Sequence, residues 1–210
     1  MTRTHKALTF IAASATLASV AFAQDASLYE DVANPDASFV RVVDTQSPVA
    51  VIQSMSFDKI DAGVTPYVVI DGASEVQITA GQATATEPVQ PATFYSFVVG
   101  ADGTSALVVD KITRNPAQAD VTFYNLSDIA SVDLYVPEAK AIAIEGVKPS
   151  SGGAVALKAP LTLDFEVRDG ETVVATVPAV DLKRREGVAV VLSGTAGSYS
   201  ATVTPNALAR

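Results

Sequence analysis

Beyond residue 37 the chain is written in short runs of alternating apolar and polar residues. The clearest is 161–168. Leu161, Leu163, Phe165 and Val167 share one face, while Thr162, Asp164, Glu166 and Arg168 share the other. Strict period-two alternation is the mark of a half-buried strand. Asp169-Gly170 follows as a two-residue turn signal, and 172–177 returns, so the pattern predicts a hairpin. Further strands are predicted at 38–43, 49–53, 67–70, 75–79, 93–99 and 106–110, then at 120–125, 132–136, 141–144, 155–157, 188–192 and 199–204. Gly, Pro, Asp or Asn punctuates most gaps, and no window carries a helical apolar stripe. The predicted fold class is all-β, built of sandwiches.

The two halves resemble each other. Ser38-Phe39-Val40-Arg41-Val42-Val43 opens the first and Asp120-Val121-Thr122-Phe123-Tyr124-Asn125 the second. Each closes with an apolar strand, a glycine-containing loop and another strand: Phe97-Val98-Val99 before Gly100, and Val190-Val191-Leu192 before Gly194. This predicts two tandem small β-sandwich domains, 24–115 and 116–210. Arg114-Asn115-Pro116 is the short linker, because proline and asparagine break strands. The alternative is one larger sandwich whose hairpins merely look alike.

Residues 1–23 read differently. Arg3 and Lys6 precede an uncharged small-apolar stretch, and Ala21-Phe22-Ala23 fits a signal-peptidase site. The apolar run is shorter than the roughly 20 residues of a spanning helix. We expect export with cleavage after Ala23 and no membrane insertion of the mature chain. Removing 23 of the 210 residues would leave 187, enough for one large or two small domains.

Charge and chemistry narrow the function. The formal charge is −9, and loss of the two segment cations leaves −11. So acidic a surface repels nucleic acid and anionic membrane. The chain has no cysteine, and its single histidine, His5, lies in the segment expected to be removed. A Ser-His-Asp triad, a cysteine nucleophile and structural zinc therefore lack their side chains. Ser56-Phe57-Asp58-Lys59 fits S-x-x-K but follows a predicted strand, whereas that motif needs a helix start. Carboxylates such as Glu30, Asp31, Asp58, Asp61, Glu138, Glu145, Asp164 and Glu166 are plentiful, with no pair singled out for glycosidase chemistry. Asp31, Asn34 and Asp36 lack the glycine and terminal glutamate of an EF-hand. No catalytic, cofactor or metal residue is expected.

Candidate partner contacts are Leu28 and Tyr29 near the mature N-terminus, Arg41 on an apolar face, and Lys183, Arg184 and Arg185, the one basic cluster of the mature chain. For Arg41 the competing reading is a paired internal arginine. For the cluster it is a polar turn protecting a strand edge. Tyr29, Tyr67, Tyr95, Tyr135 and Tyr199 would have to be exposed for a carbohydrate-binding module, the alternative to an adaptor.

Several strings carry a family resemblance. Leu28-Tyr29, the Asn34-Pro35 loop and Ala37-Ser38-Phe39-Val40-Arg41-Val42 resemble the mature N-terminus of the AlgF family of alginate O-acetylation proteins. Asn125-Leu126-Ser127-Asp128 after a strand, the strand ending in Asp169-Gly170, and the charged turn before the strand at 188–192 are similar to it as well. The stretch 80–90 departs from the family pattern. The resemblance implies a periplasmic, non-catalytic adaptor of two β-sandwiches. Its partners would be periplasmic polysaccharide O-acetyltransferases and a membrane O-acyltransferase that carry the chemistry. It implies no catalytic residue and no cofactor.

Overall fold

The computed structural model describes residues 34–72 and 74–209; the expected signal segment, Leu28 and Tyr29 lie outside them. The first run of strands is β1 (Ser38–Val43), β2 (Ala50–Ile52), β3 (Met55–Phe57), β4 (Val68–Ile70), β5 (Glu75–Ala80), β6 (Ala83–Pro88), β7 (Phe94–Val99) and β8 (Ser105–Asp110). The second is β9 (Gln118–Ser127), β10 (Val132–Val136), β11 (Ala141–Val147), β12 (Ser151–Lys158), β13 (Leu161–Asp169), β14 (Thr172–Leu182), β15 (Gly187–Thr195) and β16 (Ser198–Pro205). A 3-10 turn at Asp61–Gly63 is the one helical element among the described residues. The fold is all-β, as the alternation predicts.

The strands form four four-stranded sheets, ordered β4-β1-β7-β8, β3-β2-β5-β6, β12-β9-β15-β16 and β11-β10-β13-β14. Adding eight to each strand number of the first half reproduces the second. β1 pairs with β7 in parallel, as β9 does with β15; the other ladders are antiparallel. The duplication legible in the strand strings is thus a duplication of topology.

Burial shows how the sheets stack. Val40, Val42, Tyr95 and Phe97 face Ile52, Val76 and Ile78 in one core; Val121, Phe123, Val190 and Leu192 face Leu134, Phe165 and Val167 in another. The reverse faces of the inner sheets are buried too. Val43, Val64 and Val98 of the first half pack on Tyr124, Leu126, Ala189 and Val191 of the second. Four layers result, with the β1 and β9 sheets face to face at a central seam. A strand covered on both faces reads as a continuous apolar run rather than an alternation. That is why β1 and β7 are buried at every position, whereas β5 and β6 alternate.

Two strands escaped the sequence reading. β3 is three residues long, and β6 is Ala-Thr-Ala-Thr-Glu-Pro, whose inward residues are alanines too small to stand out. The hairpin turn after β13 also sits one residue later than expected. Asp169 pairs with Thr172, so the turn residues are Gly170 and Glu171, with Gly170 at φ +59°. Glycine at the first central position is the preference of a II′ turn.

The stretch between β8 and β9 holds Arg114-Asn115-Pro116, and it is pinned. Buried Asp120 accepts the Thr113 amide (3.0 Å) and hydroxyl (2.9 Å) and the Arg114 amide (3.0 Å). Beyond β16 the chain crosses back. The Tyr67 amide donates to Ala207, and the Ala209 amide donates to Tyr67, placing Leu208 among Ala37, Phe39, Tyr67 and Phe94.

Candidate functional site

Among the largest fully buried side chains of the described residues is Arg41, in the middle of β1 and 0% exposed. Its Nε donates to Ser96 Oγ (2.8 Å), Nη1 to Asn206 Oδ1 (2.6 Å), and Nη2 to Thr122 Oγ1 (3.0 Å) and Tyr124 Oη (2.6 Å). Asp110 supplies the countercharge at 3.8 Å. Its Oδ2 accepts from Tyr67 Oη (2.7 Å) and Ser96 Oγ (2.6 Å), and its Oδ1 from Tyr124 Oη (2.6 Å). The guanidinium also lies over the Tyr67 ring, 4.2 Å from its centre. The cluster joins β1, β7 and β8 of the first half to β9 and the end of β16 of the second.

The registers explain why these residues converge. Val43 pairs with Val98 as Tyr124 pairs with Val191, so Arg41 and Thr122 are equivalent positions of the two copies. Asp110 opposite Phe94 corresponds to Asn206 opposite Gly187. The seam therefore brings equivalent positions together, with different side chains in each copy. Burial opposes the charge on Arg41, but Tyr124, Tyr67 and Asp110 outweigh it and its pKa is raised, so the group stays protonated. Burial, above all, likewise raises the phenol pKa values of Tyr67 and Tyr124.

Arg41 is consequently removed from the candidate contact surface. A side chain bonded on every side and covered by both sheets reaches no partner. The competing expectation of a paired internal arginine describes it. Sequence reasoning missed its partners because they lie as far as 165 positions away.

Lys183, Arg184 and Arg185 are exposed in the turn between β14 and β15. Lys183 Nζ lies 3.9 Å from Glu186, and Arg184 Nε donates to the Ala159 carbonyl at 2.8 Å. Arg185 takes a positive φ of 63° within the turn. Beside them is a groove of about 270 Å³ between β14 and β16, lined by Ala119, Val180, Leu182, Val188, Val203 and Pro205 together with the charged Asp181, Lys183 and Glu186. A second cleft of about 600 Å³ runs along the seam past Asp44, Gln46, Ser47, Ser193 and Thr202. Asp44 is buried there with Oδ1 accepting the Gln46 amide at 2.7 Å.

The other candidates resolve into structural roles. Ser56 lies on β3, and Lys59 is held by Asp61 at 2.6 Å, whose hydrogen bond raises the lysine pKa and keeps it protonated. Asn34 Oδ1 accepts the Asp36 amide at 3.0 Å, a local turn. Glu138 accepts the Asp164 amide and Asp164 the Ala179 amide. Among the described residues no group of three or more acidic, histidine or cysteine side chains is arranged to hold a metal. Tyr67, Tyr95 and Tyr124 are buried; Tyr135 lies under the Arg168 guanidinium at 3.4 Å; Tyr199 donates to Asp128 at 2.8 Å. Tyr135 and Tyr199 are half-buried, the first capped on one ring face by Arg168 and the second tied by its hydroxyl to Asp128.

No family model matches the chain. It is 25% identical over 200 residues to the alginate biosynthesis protein AlgF of Pseudomonas fluorescens, covering 94% of this chain and 91% of that protein. It also aligns with the solved C-terminal domain of AlgF from P. aeruginosa, at 24% identity and TM-score 0.38, covering 43% of this chain and 99% of that one. The superposition is too loose to bear on the fold. The similarity, at 25% identity, runs along nearly the whole chain and is to the same family that the residue strings resemble.

Proposed function

Proceeding from the similarity to AlgF, we propose that this chain takes part in alginate biosynthesis as a non-catalytic periplasmic adaptor. In this reading it is required for O-acetylation of alginate or an alginate-like exopolysaccharide. It holds the periplasmic O-acetyltransferases, and with them a membrane O-acyltransferase, in one assembly. The observation that carries the reading is similarity to an alginate biosynthesis protein along 94% of the chain. The chemistry supports the adaptor half. Arg41, enclosed among hydroxyls and a carboxylate, is spent on joining the two halves. Lys59 of the S-x-x-K string is paired with Asp61.

The rigid stack suits such a role. Each half exposes its own outer sheet, and the buried seam fixes the two faces relative to one another. The test is deletion of the gene: the polymer should still be secreted but without acetyl ester, and the intact gene should restore the ester. Purified chain should retain the periplasmic O-acetyltransferase on an affinity column. Polymer acetylated normally in the deletion strain would end the reading.

A further inference from the structure

Edge strands of a sheet present unpaired backbone groups, and proteins blunt them with charges, proline or bulges. Most edges here follow that rule. β3 and β4 are three residues long, β6 ends in Glu87-Pro88, and β11 carries Glu145 and register shifts. β12 is half-buried along nearly its whole length, with β8 and β11 packed against it. β14 carries two irregularities against β13, contains Pro178, and turns at Ala179 with φ +53°.

β16 is different. All eight residues pair with β15 in unbroken register, from Val188 opposite Pro205 to Thr195 opposite Ser198. The strand Ser-Tyr-Ser-Ala-Thr-Val-Thr-Pro has no charge, and no Asp or Glu occurs anywhere from Gly187 to Arg210 in a chain of net charge −9. Among the described residues no backbone bond reaches its outer edge. β14 runs beside it in the other sheet without pairing, and the apolar groove of about 270 Å³ lies between them. That volume lies near the lower end of the roughly 300–1,000 Å³ of small-molecule sites and has room for an apolar side chain. Val203, 38% exposed, and Pro205 line it from β16, while Asp181, Lys183 and Glu186 line it from the end of β14 and the turn, where Arg184 and Arg185 follow Lys183.

We propose that this open side of the second sandwich accepts an extended segment of a partner protein. The segment adds to β16 as a strand, sets an apolar side chain in the groove, and brings a carboxylate to the Lys183-Arg184-Arg185 turn. Backbone pairing supplies affinity in this mode of recognition, and alternate side chains supply specificity. The basic turn selects an acidic neighbour, since charge complementarity governs partner choice and on-rate. The inference rests on the adaptor reading and names the surface it would use.

The test measures binding of the purified periplasmic O-acetyltransferase to the intact chain and to Val203→Glu and Lys183→Glu. Lys183 is exposed, so its reversal spares the fold. Each variant should weaken binding about tenfold, Lys183→Arg should restore it, and the β16 amides should exchange more slowly in the complex. Binding unchanged in both variants overturns the groove while leaving the adaptor reading intact. No binding by the intact chain overturns both. Self-association of the chain, or retention of uronate oligomers, abolished by the same variants would assign the groove to a different occupant and overturn the proposal.

Discussion

Replacing Arg41 by methionine tests the seam most sharply. The change keeps an unbranched chain of similar length but removes the guanidinium. Four hydrogen bonds vanish, to Ser96, Asn206, Thr122 and Tyr124, together with the Asp110 countercharge and the contact over Tyr67. Breaking a buried pair from one side typically costs about 3–5 kcal/mol, because the remaining charge stays buried. Here Asp110 keeps donors from Tyr67, Ser96 and Tyr124, which soften the loss. Asn206 adds to it: its Nδ2 is already buried without a partner, and its Oδ1 would lose one. The net expectation is about 4 kcal/mol, a large part of the roughly 5–15 kcal/mol that holds a domain together. Urea unfolding followed by circular dichroism should show that loss, and the melting temperature should fall by about 10 °C. Arg41→Lys should lie between the two, since a lysine keeps the charge but not the planar fork. Arg168→Met, at a half-buried pair with Glu166 that also lies over the Tyr135 ring, should cost about 1–2 kcal/mol, well below the seam loss. An Arg41→Met loss below about 1 kcal/mol would refute the reasoning that the cluster holds the halves together.

Three further outcomes follow from the structure. Gly187→Ala should destabilise by about 1–3 kcal/mol in the same unfolding assay, because the new methyl would stand 2.6 Å from the Asp120 carbonyl and 2.7 Å from Asn206 Nδ2. Tyr67 and Tyr124 have folded pKa values raised above the ordinary value near 10, so their contribution is complete below that pH and is lost as pH rises through the folded values. Absorbance titration should therefore show tyrosines that ionise only when alkali unfolds the chain. The Ala196 amide and the Tyr199 hydroxyl hold Asp128 below the usual carboxylate range. That contribution is present above about pH 4 and lost as pH falls through the folded value, so Asp128→Asn should shrink the acid sensitivity of the β15–β16 loop measured by hydrogen exchange.

Much of this architecture was legible in the residues, for a definable reason. Alternation betrays strands with one wet face, so β13 stands out, as do the duplicated endings around Gly100 and Gly194. The seam was less legible. The runs Phe39–Val43 and 121–124 are apolar on both faces because a second sheet covers each of them, and sequence alone does not say which sheet. Arg41 was visible as an anomaly, a charge on an apolar face, and the competing reading of it as paired was open at that point. Its partners were not, because Thr122, Tyr124 and Asn206 reach it through the packing of two halves and not through any local spacing. The groove beside the basic turn was equally hidden. Lys183-Arg184-Arg185 reads as a polar turn, and only the stacking of β14 beside β16 sets an apolar hollow next to it.

The central claim is that the chain contributes contacts and leaves acyl transfer to other proteins. The direct measurement is acetyl ester formed on alginate oligomers with an activated acetyl donor, using the purified chain alone and then with the periplasmic O-acetyltransferase added. The account predicts that the chain alone matches the protein-free control and increases ester only when the enzyme is present. Ester formed by the chain alone, and lost in Ser56→Ala, would contradict it.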